Sequence, residues 1–155
     1  MTATHHVAQV NVMRMRGPLD GPVMAGFMAE LDPVNALADS SPGFVWRLQT
    51  EAGNATALRV FGDDRMIVNL SVWETLDDLW NFVYATTHLN VLRRRREWAD
   101  RLERPHQALW WIPAGQLPTV ADAEYRLDLL AEHGPTPDAF TFRDQFPAPG
   151  VHAGG

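Results

Sequence analysis

"MIVNLSVWETLDD", residues 66–78, changes its period halfway along. Up to Trp73 the side chains alternate: Met66, Val68, Leu70 and Val72 against Ile67, Asn69, Ser71 and Trp73, the two-residue repeat of a strand with one apolar and one mixed face. From Thr75 the signal is helical. Thr75 can cap a helix, and Asp78 three residues on is an acidic relative of the capping box. A strand feeding directly into a helix is half of a β-α-β unit, and the rest of the chain is read outward from it.

Upstream, "HHVAQVNVMR" (5–14) alternates in the same way and "RGPLDGP" breaks it. Val23, Phe27, Leu31, Val34 and Leu37 then recur at helical spacing between Pro22 and Asp39, with Asp32-Pro33 predicting a kink or two short helices. "GFVWRLQT" (43–50) is a β-branched and aromatic strand, joined to the 66–73 strand by a long connection through Gly53-Asn54 and Gly62-Asp63-Asp64. Downstream, the second helical region is expected to run to about residue 102, with a step at Thr86-Thr87. "QALWWIPA" (107–114) is a fourth strand, and Thr119 with Asp122 starts a last helix that Gly134-Pro135 ends. "FTFRDQF" (140–146) can add an edge segment, and the residues from 147 to 155 read as a loose tail after a single domain, 1–146. The order β-α-β-β-α-β plus a helix predicts an α+β, ferredoxin-like fold with a four-stranded antiparallel sheet.

Composition narrows the function classes. The chain has 155 residues, a net charge of −6 and no cysteine, and all 13 of its basic residues are arginine. The acidic balance argues against nucleic acid or an anionic membrane as a partner. Thiol catalysis, disulfides and thiolate metal sites are excluded. With no apolar run near the length of a membrane span and no signal-peptide pattern, the expected location is the cytoplasm. The sequence contains no phosphate-binding glycine loop, nucleophile elbow or His-x-x-x-His pair, and His5 and His6 point to opposite sides of their strand.

Sorting the strands by parity separates Ala8, Val10, Val12, Phe44, Trp46, Leu48, Ala108, Trp110 and Ile112, with the apolar half of 66–73, into a wholly apolar set. That set is assigned to the face beneath the helices. The other set, which includes Gln9, Asn11, Arg47, Asn69, Ser71, Trp73, Gln107 and Trp111, mixes tryptophan with amides, a hydroxyl and a guanidinium. It reads either as the wall of a ligand cavity or as an interface between two sheets around satisfied polar groups. Both readings expect this face to be open in a single chain.

"FVYATTHLNVLRRRREW" (82–98) resolves differently on a wheel than as a string. His88, Val91, Leu92, Arg95, Trp98, Ala99 and Leu102 share one stripe, while Arg93, Arg94 and Arg96 fall outside it. The arginine run is therefore a solvated helix surface rather than an anion patch, with Arg95 directed inward. His88 is either a satisfied core histidine or a proton-transfer group, with Tyr84 one turn before it.

"VAQVNVMRMRGPLDGPVMAGFMAELDPVNALADSSPGFVWRLQ", "NLSVWETLDDLWNFVYATTHLNVLRRRREW", "LWWIPAGQLPTVADAEYRL" and "GPTPDAFTF" together resemble a bacterial family of unknown function, over about residues 5 to 143. That family is similar to the antibiotic-biosynthesis monooxygenases of the dimeric α/β-barrel superfamily. The resemblance implies a homodimer closed through the open sheet face. It also implies a small-molecule enzyme of the monooxygenase or cyclase kind, or a haem enzyme in which His88, in the helix region of the axial histidine, binds iron. A non-catalytic small-molecule receptor is the other reading. On the enzyme reading Trp73 and Trp111 stack on a flat substrate, Asn11, Asn69 and Ser71 orient its oxygens beside Tyr84, Arg47 or Arg95 holds negative charge, and His88 moves the proton.

Overall fold

The computed structural model describes residues 4–49, 56, 58–84 and 94–149. Strands β1 (His5–Arg14), β2 (Phe44–Arg47), β3 (Met66–Trp73) and β4 (Gln107–Pro113) form one antiparallel sheet in the order β2-β3-β1-β4. Helices α1 (Ala25–Ser40) and α2 (Leu76–Val83) belong to two interleaved β-α-β units, β1-α1-β2 split by β3 and β3-α2-β4 split by β1. This is the expected ferredoxin-like α+β arrangement. A one-turn helix α3 (Arg95–Trp98) and a final helix α4 (Val120–His133) complete it.

Local sequence accounts for the ends of these elements. Thr75 Oγ1 accepts the Asp78 N–H at 3.0 Å, opening α2. Thr119 and Asp122 form a reciprocal capping box for α4, and Gly134 closes it at φ 70°. The 140–146 segment contributes a single bridge rather than a strand: Leu109 and Phe140 exchange both backbone hydrogen bonds at 2.8 Å on the outer side of β4. From residue 150 the expected tail lies outside the described residues.

Three expectations are corrected. Pro33 does not divide α1, which runs through it as one helix and gives up only the hydrogen bond that a proline nitrogen cannot donate. The helix expected to reach about residue 102 has ended by Trp98. Ala99 is extended, and residues 98–100 instead pair with the end of β1, Arg16 N–H donating to the Trp98 carbonyl at 2.8 Å and Asp100 N–H to the Arg14 carbonyl at 3.0 Å.

The third correction concerns the faces of the sheet. Right-handed crossovers put α1 and α2 on the same side, and that side is the mixed one. Val7, Trp73 and Leu109 pack with Ala38 of α1 and with Leu79 and Val83 of α2. The wholly apolar set lies under α4, where Val10, Leu70 and Trp110 meet Ala123, Leu127 and Leu130, except for Phe44, which a register shift in β2 leaves on the mixed face beside Trp73. Met66, Val68, Leu70 and Val72 are each at most 5% exposed within the single chain. Neither face is open, so the apolar face already has its cover in α4.

Gly43, which immediately precedes β2 and accepts the Glu74 N–H, has φ +80°, and a Cβ there would collide with the Asp78 side chain in the first turn of α2. Gly43→Ala is expected to destabilise the fold by about 1–3 kcal/mol or more, since left-handed backbone strain and a clash act together. Urea unfolding with an unchanged midpoint would remove this explanation of Gly43.

Candidate functional site

Between the mixed face of the sheet and helices α1, α2 and α3 lies a cavity of about 230 Å³. The floor comes from Gln9, Asn11 and Met13 of β1, Arg47 of β2 and Ile67, Asn69, Ser71 and Trp73 of β3. The roof is largely hydrocarbon and aromatic, including Phe27, Leu31 and Val34 of α1 and Phe82 and Val83 of α2. Trp98 of α3 closes one end, edge-on to Phe27 at 5.7 Å. α1 approaches α3 closely because position 26 is glycine: a Cβ would stand 2.9 Å from Arg94 Nη2 and 3.3 Å from Trp98 Nε1.

The polar floor is biased toward hydrogen-bond donation. Gln9 Nε2 donates to Asn69 Oδ1 at 2.7 Å and to Ser71 Oγ at 2.8 Å, and Trp73 Nε1 donates to the same Ser71 oxygen at 2.9 Å. With both lone pairs of Ser71 Oγ engaged, only its O–H remains to offer. With its oxygen taken by Gln9, Asn69 turns its NH2 outward, in the amide orientation that this network assigns. Ser71 is thereby a wall donor and not a nucleophile.

Arg95 dominates the charge of the cavity. Its Nη2 donates to the Val12 carbonyl at 2.7 Å and its Nη1 to Asn11 Oδ1 at 3.3 Å. Among the described residues no carboxylate pairs with it. Burial pushes its pKa down from the usual arginine value, yet a guanidinium keeps its proton at any pH a protein meets. Arg47 differs, because Asp39 already neutralises it through Nε–Oδ1 at 2.8 Å and Nη2–Oδ2 at 3.2 Å.

His106, the residue before β4, stands on the rim of the cavity, exposed on one side. Its carbonyl accepts the Val12 N–H at 2.8 Å, so Val12 ties His106 and Arg95 to the same point of β1. Desolvation, and then the charge of Arg95, lower the pKa of the imidazole from 6.5, which leaves it neutral at pH 7.

The structure thus brings Asn11, Arg47, Asn69, Ser71, Trp73, Tyr84 and Arg95 to one cavity wall. Trp73 is fully buried with its ring stacked on Phe82 at 4.9 Å, and Tyr84 is exposed against Trp80 at 4.2 Å. Trp111 is not part of that wall. Its indole donates to the Phe146 carbonyl at 2.9 Å, so the C-terminal segment, absent from any short-range pattern, takes the place expected for a substrate. His88 lies outside the described residues. His106 had no motif to mark it, the only signal being a histidine one residue ahead of a strand whose partner on β1 is Asn11. Ligand cavities commonly span about 300–1,000 Å³, and a haem with its propionates needs more room than this one offers. The described cavity does not fit that group.

Fold and site together define a ferredoxin-like α+β protein with a cavity between its sheet and its crossover helices. The chain belongs to the DUF3291 family, a domain of unknown function, whose model matches residues 6–154. Among solved structures, PA3566 from Pseudomonas aeruginosa is similar with a TM-score of 0.50 at 9% identity, over 75% of this chain and 99% of that one. SnoaB, a cofactor-independent oxygenase from Streptomyces nogalater, is similar with a TM-score of 0.48 at 21% identity, over 74% and 96%. No curated protein matches the sequence. Among the described residues no helix is long and apolar enough to cross a membrane, and no group of three or more His, Asp or Glu could hold a metal ion.

Proposed function

We propose that the chain is a small-molecule enzyme of the antibiotic-biosynthesis monooxygenase or cyclase kind, acting in this cavity on a flat compound of one or two rings that carries a carbonyl or acidic hydroxyl oxygen. The observation that carries this reading is Arg95, a largely buried cation without a carboxylate partner among the described residues, facing a cavity whose floor also offers the Ser71 O–H and the Asn69 NH2 as donors. Such a wall is complementary to oxygen that becomes negative during reaction. In the oxygenase branch, loss of a substrate proton leaves an enolate or phenolate against Arg95, and that anion passes an electron to dioxygen, the co-substrate.

Spectral titration with 2-naphthol near pH 8 tests the reading, since Arg95 should favour the ionised form. The naphtholate band should grow as protein is added. If no band develops and calorimetry detects no binding, the cavity is not the site proposed here.

The homodimer belongs to this proposal, with its interface outside the two covered sheet faces. Light scattering at micromolar concentration checks it, and a mass of one chain would remove it.

A further inference from the structure

We propose that His106 takes the proton in this cavity and that Arg95 holds the charge left behind, which narrows the substrate class to ring ketones and phenols with an ionisable C–H or O–H. The inference rests on the function proposed above and adds to it the proton acceptor and the acidity required of the substrate.

Several observations converge on this residue. His106 lines the cavity, and among the described residues neither of its ring nitrogens has a hydrogen-bond partner, which leaves a lone pair for a ligand. Val12 anchors the His106 backbone and the Arg95 guanidinium at the same point of β1. The cavity wall also carries Glu30 on α1, Arg47 on β2 and Tyr84 at the end of α2, but Arg95 on α3 is the group whose charge acts on the ring. A cation beside an imidazole disfavours the protonated ring, so the imidazole is held ready to accept. The same cation stabilises the enolate or phenolate that forms. Once the substrate is an anion, its charge offsets that of Arg95 and makes the imidazolium tolerable. For a ring ketone, the C–H bond beside the carbonyl breaks and the proton goes to the imidazole. The electron pair moves into the enolate, whose oxygen rests on Arg95 and Asn11, and no oxidant is required for this step.

Deuterium exchange into 2-tetralone, a two-ring enolisable ketone, isolates that step from any later chemistry. In D2O the protein should accelerate exchange beside the carbonyl, and His106→Gln should lower the rate by about 100-fold, the usual scale of general base catalysis. The rate should rise with pH through an ionisation below 6.5 and stay level from there to pH 8, because the neutral ring is the active form. That inflection should vanish in His106→Gln. NMR titration of His106 in the Arg95→Met variant should show its pKa moving up, and the inflection of the exchange rate should move up with it, which a purely structural role of His106 would not produce.

If 2-tetralone binds but exchange is not accelerated, or persists in His106→Gln, the assignment of His106 is overturned while the proposed cavity stands. Loss of exchange in His88→Gln with His106→Gln unaffected overturns it as well. Failure of both 2-tetralone and 2-naphthol to bind overturns the proposed function on which the inference rests.

Discussion

Arg95→Met is expected to cost the protein its hold on an ionised ligand without costing it the fold. A charge-assisted hydrogen bond to a carboxylate or phenolate oxygen is worth about 1.5–3 kcal/mol. Its loss should raise the dissociation constant of 2-naphthol by about 10- to 150-fold and abolish the naphtholate band. Stability should respond differently. The substitution leaves the Val12 carbonyl and Asn11 Oδ1 without their donor, a cost of about 1–3 kcal/mol. It also removes a buried charge with no carboxylate partner among the described residues, and replacing buried charge by an apolar chain of similar volume is often neutral or stabilising by about 1–4 kcal/mol. The two terms oppose each other, so the net change in unfolding free energy should lie near zero. Urea unfolding and ligand titration on one variant decide the matter. Unchanged affinity, or a destabilisation beyond about 3 kcal/mol, would make Arg95 a structural residue.

Trp73→Ala should have the larger effect on stability, about 3–5 kcal/mol. The indole is fully buried at the end of β3, edge-on to Phe44 at 5.5 Å and stacked on Phe82 at 4.9 Å. It thus joins the sheet to the start of β2 and to α2, and its removal opens a void that the surrounding aromatic rings cannot collapse into without breaking their contacts. The N–H to Ser71 Oγ is a smaller term. Trp73→Phe keeps most of the packing and frees one lone pair of Ser71, so its cost should be a fraction of that of alanine. A thermal or urea midpoint for Trp73→Ala within about 1 kcal/mol of wild type would mean that the cavity floor is more adaptable than its packing implies.

What could be read in advance follows the range of the interactions involved. Alternation along 5–14 and 66–73 marks β1 and β3 because a strand writes its own pattern, and Thr119 with Asp122 marks the start of α4 because a cap is local. The inward direction of Arg95 was legible from helical spacing, although only one turn, α3, is helical there among the described residues. Parity separated the two faces of the sheet but could not say which helices cover which face. A wholly apolar set suits either side, and the outcome depends on where α4 returns. Trp111 has the parity of the mixed set, but Phe146, 35 positions along, captures its indole. His106 becomes visible only when Val12 brings it and Arg95 together.

Placing α4 over the apolar face also bears on how the chain is made. β1 is made before the other strands of the sheet and sits in its middle, so it waits for β3 to pair one edge and for β4 to pair the other. α4 follows still later, and until residue 133 has emerged Leu70, Val72 and Trp110 have no cover. Nascent chains with a bare apolar sheet are the species that aggregate or recruit chaperones. During translation the sheet passes through such a state by necessity, and its most exposed moment comes just before α4 arrives.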